Sequence, residues 1–119
     1  MNFLVVDDSS TMRKIVGLAL KPAQYNYIEA ENGQDALDKL PAQKIDFFIV
    51  DINMPVMGGI DFVKAVRAKP DHSKTPIIIL TTESDNALIA QGKQAGANDW
   101  IIKPFKNDEL MALIKKLIG

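Results

Sequence analysis

Five side chains in this sequence could do chemistry together: Asp7, Asp8, Asp51, Thr81 and Lys103. Each follows or closes a short apolar run. Asp7 and Asp8 follow residues 3–6, Asp51 follows 45–50, Thr81 follows 77–80, and Lys103 follows 100–102. If those runs are strands of one parallel sheet, all five side chains meet at its carboxyl end, where open α/β sheets bind ligands. Three ionised carboxylates and one ammonium sum to −2. Gathered within a few ångströms, such groups either raise one another's pKa or hold a cation. An all-oxygen site of that charge suits Mg²⁺, which keeps some waters and favours carboxylates together with a phosphate oxygen. The plainer alternative is that these residues only cap strand ends and helix starts, and short motifs alone do not decide between the two.

The elements that must position these residues can be read from the apolar pattern. Of the runs 3–6, 25–30, 45–50, 77–80 and 100–102, four are nearly continuous in apolar side chains, as strands covered on both faces of a parallel sheet should be. The run 25–30, Tyr-Asn-Tyr-Ile-Glu-Ala, is more mixed and is the candidate edge.

Helical patterns fall between the strands. Met12, Ile15, Val16 and Ala19 form a stripe after the capping hydroxyls of Ser9, Ser10 and Thr11, and Pro22 marks its end. Ala36, Leu37 and Leu40 form a shorter one stopped by Pro41. A third helix runs from Gly59 or Ile60 to about Lys69, before Pro70. A fourth runs from Ser84 or Asp85 to a cap at Gly96; with Gly92 inside and a modest stripe from Ala87 and Leu88, it is intrinsically weak. The last starts at Asn107-Asp108-Glu109 and buries Leu110, Leu113, Ile114, Leu117 and Ile118, with Lys115 and Lys116 complementing its dipole. This alternation predicts an α/β fold: a doubly wound parallel sheet with helices on both faces, residues 1–119 making one domain.

Composition narrows the function classes. The chain has 119 residues, enough to bury a core without disulfides. It lacks cysteine, which removes thiolate zinc sites and a cysteine nucleophile, and its lone His72 cannot build a histidine metal cluster. A net charge of −1 gives no general reason to bind nucleic acid or an anionic membrane. The apolar runs fall far short of the ~20 residues of a membrane span, and the N-terminus has no basic stretch of a signal peptide. A cytoplasmic, monomeric protein is expected.

Val6-Asp7-Asp8-Ser9-Ser10, Val50-Asp51-Ile52-Asn53-Met54-Pro55 with Gly58-Gly59, Thr81-Thr82-Glu83, Ala95-Gly96-Ala97 and Lys103-Pro104-Phe105 stand in this order along nearly the whole chain. Together they resemble the receiver domain of bacterial response regulators. The run Thr11-Met12-Arg13-Lys14-Ile15-Val16 is similar to that of the family's single-domain chemotaxis members.

The resemblance implies a flavodoxin-like (βα)5 fold, with strand order 2-1-3-4-5, and a set of roles. Asp51 accepts a phosphoryl group from a histidine kinase or phosphotransfer domain. Asp8 and Asp51 ligate Mg²⁺ through side chains, Asn53 through its backbone carbonyl, and Asp7 through water. Lys103 pairs with Asp51 and then with the phosphoryl group, the Lys103-Pro104 bond being cis. Thr81 turns its hydroxyl to the phosphoryl oxygen, and the vacated space lets the aromatic residue of the fifth strand, here Trp100 where chemotaxis members commonly carry Tyr, turn inward. Trp100 can equally be a bulky residue that fills the sheet edge, and Phe105 is expected to be a packing residue. Asn53, Glu83 and Thr82 flank the phosphoryl site and set its lifetime, Asn with Glu matching short-lived members.

With the sequence ending at Gly119, output is expected through protein–protein contact on the fourth helix, fifth strand and fifth helix, the flagellar motor switch being the leading target. A phosphate sink or relay intermediate is the alternative; either way the chain is a switch, not a turnover enzyme. A flavodoxin-like redox protein shares the architecture, but Asp7 and Asp8 would repel a flavin phosphate. An Asp-nucleophile phosphatase wants a second acid where this chain has Asn53. His72, in a turn-rich loop, is expected to be solvated.

Overall fold

The computed structural model describes residues 1–42, 44–82 and 86–118. Five strands, β1 (Asn2–Val6), β2 (Asn26–Ala30), β3 (Phe47–Asp51), β4 (Ile77–Thr81) and β5 (Asp99–Ile102), alternate with α1 (Ser10–Leu20), α2 (Gly33–Lys39), α3 (Gly59–Arg67), α4 (Asn86–Ala95) and α5 (Asn107–Ile118). Every strand pair is parallel and the order is β2-β1-β3-β4-β5, as the resemblance implied.

Continuous apolar runs make the central strands because both faces are covered. Phe3, Val5, Phe47 and Ile49 point to one core, closed by Val16 and Leu20 of α1 and by Leu110 and Ile114 of α5. Their neighbours Leu4, Val6, Phe48 and Val50 point the other way, against Ala36 of α2 and Phe62, Val63 and Val66 of α3. Side chains alternate along a strand, so β1 and β3 feed both cores at once. Phe3 stacks between Tyr25 and Phe47, each ring centroid 4.9 Å away. The mixed run β2 is one edge, as expected; β5 is the other.

Several boundaries differ from the sequence pattern for local reasons. The third strand begins at Phe47, just after Asp46, which is tied to Asn2 twice: its N–H donates to the Asn2 carbonyl and its carboxylate accepts the Asn2 N–H, each at 2.8 Å. Tyr25 lies outside β2, following Gln24 in the left-handed region at φ 62°. The third helix stops at Arg67 rather than Lys69, whose backbone is extended ahead of Pro70, as residues before proline prefer. Gly96 caps α4 at φ 119°, as expected, while Ser84 and Asp85 lie outside the described residues.

Two apolar stripes are narrower than expected. Ile15 is 40% and Ile118 42% exposed. A four-residue step on a 3.6-residue helix drifts about 40°, so Ile118 has turned roughly 80° from Leu110, and Ile15 falls on the flank of the Val16–Ala19 face.

His72 corrects a further expectation. It is half-buried, not solvated, with its ring edge-on to Phe48 at 5.1 Å and its Nδ1 in a 2.9 Å hydrogen bond with the Thr75 hydroxyl. Arg67 draws the loop back onto the sheet by donating to the carbonyls of His72 and Thr75. Burial lowers the His72 pKa below its ordinary value, ahead of the opposing charge of Asp71.

Candidate functional site

The strand register brings the chemical residues together. Val6 pairs with Val50, Asp51 with Leu80, and Thr81 with Ile102, so Asp7, Asp51, Thr81 and Lys103 emerge side by side at the carboxyl end of the sheet. Lys103 is tied in directly, its N–H donating to the Thr81 carbonyl at 2.7 Å. The Lys103-Pro104 bond is cis. Thr81 is buried, and Phe105 packs against the α1–α5 core, as expected of a packing residue.

Asp7 is fully buried and both its carboxylate oxygens are engaged. Oδ1 accepts the Ser9 N–H at 2.9 Å and Oδ2 accepts Lys103 Nζ at 2.8 Å. Lys103 Nζ also donates to Asp51 Oδ1 at 3.3 Å. The lysine therefore bridges two acids, lying closer to Asp7 than to the Asp51 partner that the resemblance singled out. Asp8 is exposed, yet one oxygen from each of Asp7, Asp8 and Asp51 fits within a 4.8 Å cluster.

Electrostatics follow from this crowding. Burial first, then the charge of Asp7, raises the Asp51 pKa above its ordinary 3.8, and Lys103 offsets only part of the rise. Burial works against the Lys103 ammonium, but its hydrogen bond to Asp7 and the field of Asp51 outweigh it, so its pKa is raised. The result is a lysine held charged beside carboxylates that lack enough positive charge. Three clustered carboxylates make a hard, anionic, all-oxygen donor set, which fits a small divalent cation such as Mg²⁺.

Local structure holds this geometry. Ser9 caps α1, its hydroxyl accepting the Met12 N–H at 3.2 Å, so the helix starts immediately after the acid pair. Arg13, one turn in, donates from Nη1 to the Asp7 carbonyl at 2.6 Å and from Nε to Glu29 at 2.9 Å. That clamp was not legible in the sequence, because nothing in the spacing of Arg13 marks its reach to β2. After Asp51 the chain turns through exposed Asn53 and an outward Val56, which is 85% exposed at φ 68°, an uncommon conformation for a β-branched residue. It returns at Gly59, whose N–H donates to the Ile52 carbonyl at 3.1 Å.

Of the remaining expected residues, Thr82 is exposed at the rim and Glu83 lies outside the described residues. Trp100 is half-buried at the β5 edge and reaches, with Thr81, a small cavity under α4. Among the described residues no helix is long and apolar enough to cross a membrane.

Comparison with known proteins places this geometry. The family model for the response regulator receiver domain matches residues 3–115. The chemotaxis protein CheY1 of Helicobacter pylori J99 is 42% identical over 121 residues, covering 100% of this chain and 98% of its own. A crystal structure of the chemotaxis protein CheY4 of Vibrio cholerae superposes with a TM-score of 0.92 at 40% identity, over 98% of this chain and 97% of that one. The receiver domain of a sensor histidine kinase from Pseudomonas aeruginosa PAO1, with a magnesium ion coordinated in its active site cleft, gives 0.90 at 28% identity over 99% and 97%.

Proposed function

This chain belongs to the response regulator receiver family, and on that premise we propose that it is a phosphorylation-activated signalling switch of a two-component, chemotaxis-type pathway. The observation that carries the site assignment is Lys103, which spans Asp7 and Asp51 at the carboxyl end of the sheet with Asp8 beside them.

Asp51 is the phosphoryl acceptor. A carboxylate oxygen attacks the phosphorus of a phosphohistidine on a partner kinase or phosphotransfer domain; an O–P bond forms, the P–N bond breaks, and the imidazole leaves with the electron pair and takes up a proton. The resulting acyl phosphate is energetic and hydrolysable, so the mark is temporary. Asp8, Asp51 and the Asn53 carbonyl would hold Mg²⁺, and Asp7 would act on it indirectly. That Asp7 already accepts one hydrogen bond from Ser9 and one from Lys103 supports that indirect role. When bound, the cation offsets charge on the transferring phosphoryl group.

Lys103 is poised to follow the negative charge from Asp51 to the phosphoryl oxygens, at little reorganisation cost because Asp7 already anchors it. Thr81, one residue beyond the Asp51 register on the neighbouring strand, supplies a hydroxyl to the same oxygens. Asn53, Glu83 and Thr82 regulate water access and hence lifetime. Output passes to a downstream protein, with the flagellar motor switch the leading target, through α4, β5 and α5. The chain works in the cytoplasm as a monomer of one domain and turns over no separate substrate.

Mass spectrometry after incubation with acetyl phosphate and Mg²⁺ tests this reading. Wild type should gain one phosphoryl mass and Asp51→Asn none; a gain retained in the variant overturns the acceptor assignment.

A further inference from the structure

One contact ties α4 to β5, and neither element's sequence announces it. Lys93 Nζ lies 4.1 Å from the centroid of the Trp100 ring. Both side chains, with Ile79, Thr81 and Ile89, wall a cavity of about 10 Å³ between the helix and the sheet. That space is about one water in size, far too small to receive an indole unless its walls move.

The neighbouring acid does not compete for the ammonium. Asp99 Oδ1 accepts the backbone N–H of Trp100 at 2.9 Å, and Oδ2 lies 3.5 Å from Lys116 Nζ on α5. Asp99 is thus drawn toward α5, and Lys93 is left over the aromatic face. A cation over tryptophan is the strongest pairing of its kind among side chains, and its attraction depends on the ring staying beneath the charge. Elsewhere α4 is lightly seated. Among the described residues its buried position is Gly92, which approaches Ile79 closely.

We propose that Lys93 is a positioning residue for Trp100. Its ammonium holds the indole in the orientation seen here and opposes movement of the ring into the space beside Thr81, and so sets how readily the acid site takes up its phosphoryl group. This deepens the receiver reading and rests on it. If modification favours the inward ring, a contact that favours the present orientation weakens phosphoryl binding by the same factor that it stabilises that orientation. For a cation–π pair with an exposed lysine the factor is roughly two- to fivefold.

The test uses the full chain and its only tryptophan. Lys93→Met keeps the aliphatic stem without the charge, and Lys93→Arg keeps a cation. Beryllofluoride with Mg²⁺ is titrated while indole emission is read, and acetyl phosphate labelling is followed by mass in parallel. Lys93→Met should shift the emission of the unmodified protein and lower the beryllofluoride midpoint by roughly two- to fivefold, while Lys93→Arg should restore both. A Lys93→Met midpoint equal to or higher than wild type overturns the proposal, as does an equal shift in both variants, which would mean that the stem and not the charge matters. Lys93→Gln gives the same readout if the Met variant aggregates. Wild type that takes up neither beryllofluoride nor phosphoryl overturns the receiver reading and the role of Lys93 with it. Normal wild-type labelling with an unresponsive Lys93→Met overturns the role of Lys93 alone.

Discussion

The carboxyl ends of β3 and β5 lie in the same sheet, yet they are built in opposite ways. Every residue of β3 is buried, and α3 beyond it buries Gly59, Phe62, Val63 and Val66. In β5 only Ile101 is buried, and α4, over its described residues, buries only Gly92. Asp51 therefore stands on a fully buried strand, and Trp100 on a strand with a single buried residue. Precise placement of a reacting carboxylate needs a rigid support, whereas a readout needs an element that moves at low free-energy cost. The two glycines express the same contrast. A Cβ at Gly59 would overlap the carbonyl oxygen of Asp51 and come within 2.9 Å of Ile52 Cα, both backbone atoms. A Cβ at Gly92 would meet the end of the Ile79 side chain at 2.5 Å, and that end can rotate away.

The sharpest way to break this comparison is to add a methyl group at each glycine. Gly59→Ala should cost about 3 kcal/mol in urea unfolding, the upper range for overpacking that backbone cannot relieve. Gly92→Ala should change stability by no more than about 1 kcal/mol, because the gain in helix propensity offsets the displaced Ile79 methyl. Equal costs at the two sites would dissolve the contrast.

A smaller effect sharpens the electrostatic side. The pKa of Asp51 is raised in the folded protein, so its contribution to stability is fully present below the ordinary 3.8 and is lost as pH rises through the raised value. At neutral pH the ionised carboxylate therefore counts against the fold. Without Mg²⁺, Asp51→Asn should melt higher than wild type by about 2–5 °C, corresponding to roughly 1 kcal/mol. Added Mg²⁺ should raise wild type more than the variant. A variant that melts lower in metal-free buffer would contradict the crowding of charge described at this site.

The smallest expected effect lies at the opposite end of the sheet. The lowered pKa of His72 means that its neutral form suits the fold; its contribution is present above the ordinary 6.5 and is lost as pH falls through the lowered value. Between pH 8 and pH 5 wild type should lose slightly more thermal stability than His72→Gln. Parallel curves would place the ring in water after all.

How much of the site was legible follows from where each signal lies. Asp7, Asp8, Asp51, Thr81 and Lys103 could be read because a polar residue closing an apolar run, in a chain that alternates strand and helix, must emerge at the carboxyl end of a parallel sheet. The burial of His72, the reach of Arg13 to the Asp7 carbonyl and the seat of Lys93 over Trp100 could not be read. Each depends on which residue of another element comes near, and periodicity within one element carries no such information.

The sequence by itself determined the alternating elements, the edge position of β2, the family motifs and the meeting of the acids with a single lysine. Local propensity and the solvent-avoiding faces of short segments are enough to specify these. Tertiary structure alone decided that Lys103 lies nearer Asp7 than Asp51, although 96 residues separate it from Asp7 in the chain. It also decided that Asp51 sits in a field that raises its pKa, and that an α4 lysine covers the β5 tryptophan. Distances between charges, and the burial that sets their strength, exist only once the sheet has brought distant strand ends together.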